Sequence, residues 1–306
     1  MAIFLARRLL QTFPVIWGVG TLVFFLLHIV PGDPVEIMLG ENALPVNKDA
    51  LRAQLNLDKP LLTQYAIFWK GALRGELGTS LISKRPVGNV IADRAPFTLK
   101  LTFWAIIAAI CISIPLGVLA ASFRDGILDY AVLAYSMLGA AMPNFWLGPL
   151  LVLLFSVKLG WLPVSGTDGP SNYVLPAITL GLGMSCVLTR MVRTTMAEVL
   201  RQDYMTTARS KGLGWCAIHL QHALKNALIP VITIIGLQLG GLLAGAVITE
   251  TIFDWPGIGE LVYRGIQSRD FPLVQGCILI IAATYVAANT LADIAYTLAN
   301  PRVEAK

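Results

Sequence analysis

Val192–Ile229 reads VRTTMAEVLRQDYMTTARSKGLGWCAIHLQHALKNALI and sits between two uncharged apolar segments. It carries Arg193, Arg201, Arg209, Lys211 and Lys225. Among apolar spans such a loop is too short for a domain and too regular for a linker. Met196, Val199, Leu200, Tyr204 and Ala208 recur at helical spacing as one apolar stripe. Gly212 and Gly214 then break the helix, and a second helical piece from Trp215 leads to Pro230. Two helical stretches around Gly212-Leu213-Gly214 predict a docking surface for a soluble partner, held crosswise under a helix bundle where it passes motion to the spans. The plainer alternative is an amphipathic helix on the inner leaflet, with its Arg and Lys near anionic lipid.

The rest of the chain supplies the bundle. Of 306 residues, 56% are hydrophobic and 13% charged, and the net charge is +5; mean hydropathy is +0.70. That composition is an integral membrane protein's, and the charge reports where Lys and Arg lie relative to the bilayer rather than a nucleic-acid partner. Six apolar segments are long enough to cross about 30 Å of hydrocarbon: Leu9–Val30, Leu101–Ala121, Tyr130–Val157, Tyr173–Thr189, Pro230–Thr249 and Phe271–Ala292. No strand-like alternation accompanies them, so each is expected to be helical. The expected fold class is all-α, a polytopic bundle of six transmembrane helices. Its expected parts are the N-terminal end with the first span (1–30), a large outer loop (31–99), a core (100–299) holding the loop 192–229, and a tail (300–306).

Orientation follows from Lys and Arg. An inside N-terminus puts Arg7, Arg8, Arg124, Arg190, Arg193, Arg201, Arg209, Lys211, Lys225, Arg302 and Lys306 in the cytoplasm, against Lys158, Arg264 and Arg269 outside. Both termini are then cytoplasmic. Arg7-Arg8 before an apolar run resemble a secretory start, but the run is too long and no small-x-small site follows, so the first span is expected to stay uncleaved. Cys111, Cys186 and Cys277 fall within spans, Cys216 in the inner loop and none in the outer loop, so no disulfide framework is implied. The outer loop has helical patterns at Asp49–Leu57 and Leu61–Leu73 and turns at Gly75–Ser80 and Arg85–Val87, and reads as a folded lid or a surface for an external partner.

Within the membrane, Gly236, Gly240, Gly241 and Gly245 form overlapping small-xxx-small patterns that let a neighbouring helix approach, at a packing interface or beside a path. Met142-Pro143-Asn144 interrupts the third segment and predicts a kink, with Asn144 able to satisfy freed backbone groups. Asn289 and Asp293 lie one turn apart near the inner end of the last span, where Asp293 is expected to face protein or the headgroups, paired with a cytoplasmic Arg.

Chemistry of its own is not evident. The chain lacks the G-x-x-x-x-G-K-[ST] phosphate loop and G-x-S-x-G, and its histidines are His28, His219 and His222 alone. His219 and His222 can share a helix face, but two ligands are too few for a tetrahedral metal site.

Asp203-Tyr204-Met205-Thr206-Thr207-Ala208-Arg209-Ser210-Lys211-Gly212, continuing to His222-Ala223-Leu224-Lys225-Asn226-Ala227-Leu228-Ile229-Pro230, resembles the cytoplasmic loop of bacterial ABC importer permeases of the dipeptide/oligopeptide/nickel class. The general signature there is E-A-A, three residues, then G, and later I-x-L-P. Here Thr206, Thr207 and Ala208 hold the first positions, and Ala227-Leu228-Ile229-Pro230 lies farther from Gly212. Val30-Pro31-Gly32-Asp33-Pro34, Leu57-Asp58-Lys59-Pro60, Met142–Trp146, Glu250–Gly259 and Arg269-Asp270-Phe271-Pro272 also look like the first of the two permeases in these systems.

The resemblance implies a type I importer permease fold in the bacterial inner membrane. Its implied partners are a second homologous permease, two ATPase subunits that hold the ATP and Mg, and an extracytoplasmic substrate-binding protein; no cofactor is implied in this chain. It makes Tyr204, Thr207, Ala208, Arg209, Lys211, Gly212, Leu213, His219 and His222 the contact with the ATPase subunit. Asn144, Gln238 and Gly241 become path candidates, and the loops around Gly78, Arg85, Trp255 and Gly257 the contact with the binding protein. Dipeptide or oligopeptide import is the first expectation, since no intramembrane His, Cys or carboxylate cluster marks a metal route. Nickel chelate, glutathione, an opine or another small solute is the runner-up. A stand-alone channel or secondary transporter is the alternative of a different class, disfavoured by the lack of inverted repeats.

Overall fold

A computed structural model describes residues 2–29, 35, 48–49, 52–53 and 56–299, with the side chains of 2–11, 229, 244 and 293–299 outside that description. The Val30–Pro34 motif, part of the Asp49–Leu57 pattern, the side chain of Asp293, and Arg302 and Lys306 therefore lie outside the described residues. Among those described the long elements are helices, and Thr79 with Pro86 forms an isolated bridge. The helices are α1 (Ala2–Ile29), α2 (Leu61–Arg74), α3 (Val87–Ser122), α4 (Ile127–Ala141), α5 (Asn144–Leu151), α6 (Ser171–Val199), α7 (Asp203–Ser210), α8 (Leu224–Ile252), α9 (Ile258–Gln267) and α10 (Phe271–Ala299). π-Helical stretches Val152–Lys158 and Ala217–Ala223 follow α5 and precede α8.

Four of these helices are long and apolar enough to cross a membrane, or six if each of two bent pairs is one span. The first bent pair turns by 109° between Ile127–Ala141 and the helix from Asn144, far more than a kink. Met142 and Pro143 are both extended, and Pro143 brings no N–H to the ladder. Its carbonyl then accepts from Trp146 and Leu147 and starts α5. The second pair bends by 52° about Pro230. Helix α3 begins at Val87, so Val87–Leu99, expected as loop, is helical; its 36 residues reach about 54 Å, beyond the bilayer core.

By contact density the chain forms two compact units, the first holding Met1–Pro96 with Pro256–Thr284 and the second Phe97–Trp255 with Tyr285–Lys306. In the first, α2 lies on α1 through rings of Phe24, Phe25, Tyr65 and Phe68, with a Thr21–Tyr65 hydroxyl pair at 2.7 Å. No residue of α2 is buried, and Leu62 and Leu73 stand exposed, as in an interfacial helix. The unit's core is Val87, Ile91, Ile258, Leu261, Val262, Leu273 and Cys277.

Asp270 locks this unit. Fully buried, its Oδ2 accepts from Ser80 Oγ at 2.6 Å, Leu81 N at 3.0 Å and Ile82 N at 3.3 Å, while Oδ1 accepts from Leu273 N at 3.3 Å. One carboxylate thus caps α10 and closes the turn at Ser80–Ile82. Asp270→Ala leaves buried donors unpaired and is expected to cost about 2–3 kcal/mol, with Asp270→Asn between it and the wild type. Thermal denaturation of the purified protein in detergent reads this, and an unshifted midpoint for Asp270→Ala would remove the lock.

The second unit is built on α6, packed against α3, α4 and α8 around Leu101, Ala105, Leu180, Met184, Leu188, Val192, Met196 and Ala227. In α8 an added Cβ at Gly236 would stand 2.6 Å from that of Ala292, and one at Gly240 would strike the Tyr285 ring. Packing is therefore the role of these two glycines. Gly241 differs, with nothing within 4 Å of an added Cβ.

Candidate functional site

The segment between the two helices starts where α6 stops at Val199. A tight turn follows, with Leu200, Arg201 and Gln202 N–H groups bonded to Met196, Glu198 and Val199 carbonyls, and extended Gln202 opens α7. This turn resets the helical register. The stripe expected through Tyr204 ends at Leu200: Met205 is the buried residue of α7, at 0% exposure, while Tyr204 is 40% exposed. Tyr204, Thr207 and Arg209 are left exposed on the short helix and Lys211 at its C-terminal cap, with Ala208 half-buried.

At the end of α7 Gly212 adopts φ +74°, and Ile218 N bonds to the Gly214 carbonyl as the next helix starts. The break read from Gly212-Leu213-Gly214 is there. Beyond it Trp215 and His219 stack at 4.4 Å, and His219 Nδ1 lies 2.9 Å from the Trp215 carbonyl. Leu213, Trp215, Leu220 and His222 remain exposed.

Asn226 closes the segment and was not singled out from sequence. Its Nδ2 donates to Tyr204 Oη at 2.8 Å, tying α7 to the first turn of α8. Helix α7 is thus fixed at three points: by chain to α6, by Met205 to the core, and by Tyr204 to α8. Tyr204→Phe is expected to remove about 0.5 kcal/mol, lowering transport roughly twofold. Asn226→Ala should do the same and the double variant no more, which a double-mutant cycle on uptake checks.

Of the path candidates, Gln238 and Gly241 are three residues apart on α8, and Gly245 continues their stripe one turn on. Asn144 Nδ2 lies 3.4 Å from where a Gly245 Cβ would be, so the polar residue at the α4–α5 break sits against that stripe. The outer candidates divide. Gly78 and Arg85 are exposed, the latter paired with Asp93 at 2.7 Å. Trp255 and Gly257 are buried, so within that loop the exposed residue beside them is Asp254. Trp255 is 0% exposed because its indole donates to the Phe97 carbonyl at 3.1 Å and its ring meets Tyr173 at 4.6 Å. Close by in sequence, the carboxylate of Glu250 is also fully buried and accepts from Thr98 Oγ1 at 2.6 Å. A carboxylate at the end of an apolar run was the available signal for it.

The model of binding-protein-dependent transport system inner membrane components matches residues 113–305, and the model of their N-terminal part matches residues 1–102. The chain belongs to this family. It is a permease subunit of an ABC importer, and ATP hydrolysis belongs to the partner subunits rather than to this chain. Relatives agree across the full length. The chain is 42% identical to a di/tripeptide transport permease of Pseudomonas aeruginosa over 333 residues and 40% identical to the dipeptide permease of Escherichia coli K12 over 335. It is 38% identical to a glutathione transport permease of Escherichia coli O6:H1 over 303 residues; each alignment covers 99% of both chains. The MetNI methionine ABC transporter in inward-facing form shares the fold, with TM-score 0.58 at 17% identity, covering 69% of this permease and 96% of that chain.

Proposed function

We propose that this permease pairs with a second, homologous permease in the bacterial inner membrane to import di- or tripeptides handed over by an extracytoplasmic binding protein. The 42% full-length identity to a di/tripeptide permease carries the substrate class. Both termini are cytoplasmic in this reading, on the Lys and Arg asymmetry. Of two ATPase subunits, one seats against α7 and the exposed face from Leu213 to His222. When ATP draws those subunits together, α7 moves, and α6 and α8 follow because the Leu200–Gln202 turn and the Tyr204–Asn226 bond tie it to both. The solute passes beside Asn144, Gln238 and Gly241. Gly78 and Arg85, exposed beyond the membrane, belong to the face that meets the binding protein.

A second reading, glutathione import, has its own support. The alignment with the glutathione permease runs over 303 residues, matching this chain of 306, whereas those with the dipeptide permeases exceed its length. Both solutes are short peptides with free carboxylates, so the path chemistry is shared. Proteoliposomes carrying the complete complex, given the cognate binding protein outside and ATP inside, distinguish them. Concentrative uptake of labelled dipeptides supports the first reading, uptake of glutathione alone the second, and uptake of a nickel chelate with neither peptide overturns both.

A further inference from the structure

Asp129, in the first turn of α4, and Arg193, on α6, are joined by a fork: Nε donates to Oδ1 at 2.5 Å and Nη2 to Oδ2 at 2.6 Å. The Asp129 side chain is 1% exposed and that of Arg193 19%. Oδ2 also accepts the N–H of Asp125 at 3.0 Å, so the turn before α4 is held by the same carboxylate. Two parallel charge-assisted bonds fix direction as well as distance.

The fastening continues along the two helices. Tyr135 and Ser185 hydroxyls lie 2.7 Å apart, and a Cβ at Gly139 would stand 2.5 Å from Cys186 Sγ. These pairings run antiparallel, so α4 is attached to α6 along its length. From Arg193, α6 continues to Val199, about 9 Å, and α7 follows the turn. At its other end α4 stops at Met142–Pro143, beyond which Asn144 lies against Gly245.

We propose that the Asp129–Arg193 pair is a relay in the transport cycle, making α4 travel with α6 so that displacement of α7 reaches the Met142–Pro143 break and Asn144. The inference rests on the coupling role of α7. Stability alone is a poor reason for the pair, because desolvating two charges offsets much of their attraction and an apolar pair of similar volume often packs as well. What the fork adds is a fixed register between two helices.

Arg193→Gln leaves an unpaired buried carboxylate, so the discriminating variant is Asp129→Leu with Arg193→Met, which keeps volume and removes the charges. In the complete complex this double variant is expected to assemble and hydrolyse ATP at wild-type rate, while uptake per ATP falls about tenfold, within the range of a lost coupling free energy. The exchange Asp129→Arg with Arg193→Asp recovers part of the loss. A solute-independent reading uses spin labels at exposed Met137 and Glu198 after replacement of Cys111, Cys186, Cys216 and Cys277. Their separation should be equal in nucleotide-free and ATP-trapped wild type and unequal in the double variant. Wild-type coupling in the Leu/Met variant, or a wild-type distance that changes with nucleotide, overturns the relay. An unchanged wild-type distance in a complex that imports neither peptide supports the relay and rejects the substrate reading instead.

Discussion

Replacing Gly212 with valine is expected to leave the complex assembled and hydrolysing ATP while uptake collapses. At φ +74° the backbone is in the left-handed region, and an added Cβ would meet nothing within 4 Å. The demand on this position is therefore conformational rather than steric. A non-glycine residue in that region costs about 1–2 kcal/mol, and a β-branched one is an outlier there. The chain relieves the strain by changing the turn, which re-aims α7 against the helix from Trp215. Gly212 itself lies outside the buried core, so the substitution removes no core side chain. Asparagine tolerates the left-handed region, so Gly212→Asn should retain most transport and separates backbone geometry from loss of a small residue. ATP hydrolysis and solute uptake measured on the same proteoliposomes read the ratio. If Gly212→Val transports at the wild-type ratio, α7 is not where motion enters.

The same glycine shows why the break was legible in sequence, since a positive φ leaves a local trace in residue type. The spans were legible for a similar reason, being continuous runs that hydrophobicity alone detects. What escaped was set by chain that is distant in sequence or by ladder details. The stripe from Met196 to Ala208 assumes one continuous helix, and three residues of turn make Met205 rather than Tyr204 the buried side chain of α7. The start of α3 was missed because hydropathy marks the bilayer portion of a helix, while Val87–Leu99 carries Asp93 and Arg94 in a helix that projects past it. The family resemblance marks the loop around Trp255 without saying that the indole itself is buried. Its partner is the Phe97 carbonyl, whose proximity no local pattern reports. Asp129 and Arg193 were each visible as charges beside apolar runs, but their pairing across 64 positions was not.

Gly181 carries the other large expected effect. It was passed over beside the glycines of α8, yet an added Cβ there would collide with the backbone carbonyl of Ala105, on α3. A side chain in the way can rotate; a helix carbonyl cannot move without its helix. Both walls are core, with Ala105 and Leu180 fully or nearly buried, so relief requires α3 and α6 to separate. Overpacking of this kind costs about 1–3 kcal/mol or more, and helix association in lipid depends on such close approach. Gly181→Leu should therefore abolish recovery of folded complex from membranes. Gly240→Ala should be milder, because it meets the ring of Tyr285, which is 43% exposed and free to swing. Gly241→Ala, with open space around it, should assemble like the wild type. Yield and monodispersity by size exclusion, with Tm for what is recovered, rank the three. Recovery of Gly181→Leu at wild-type yield would mean that α3 and α6 are not held at this point, and equal losses at Gly181 and Gly241 would remove the distinction between packing glycines and the open stripe beside Asn144.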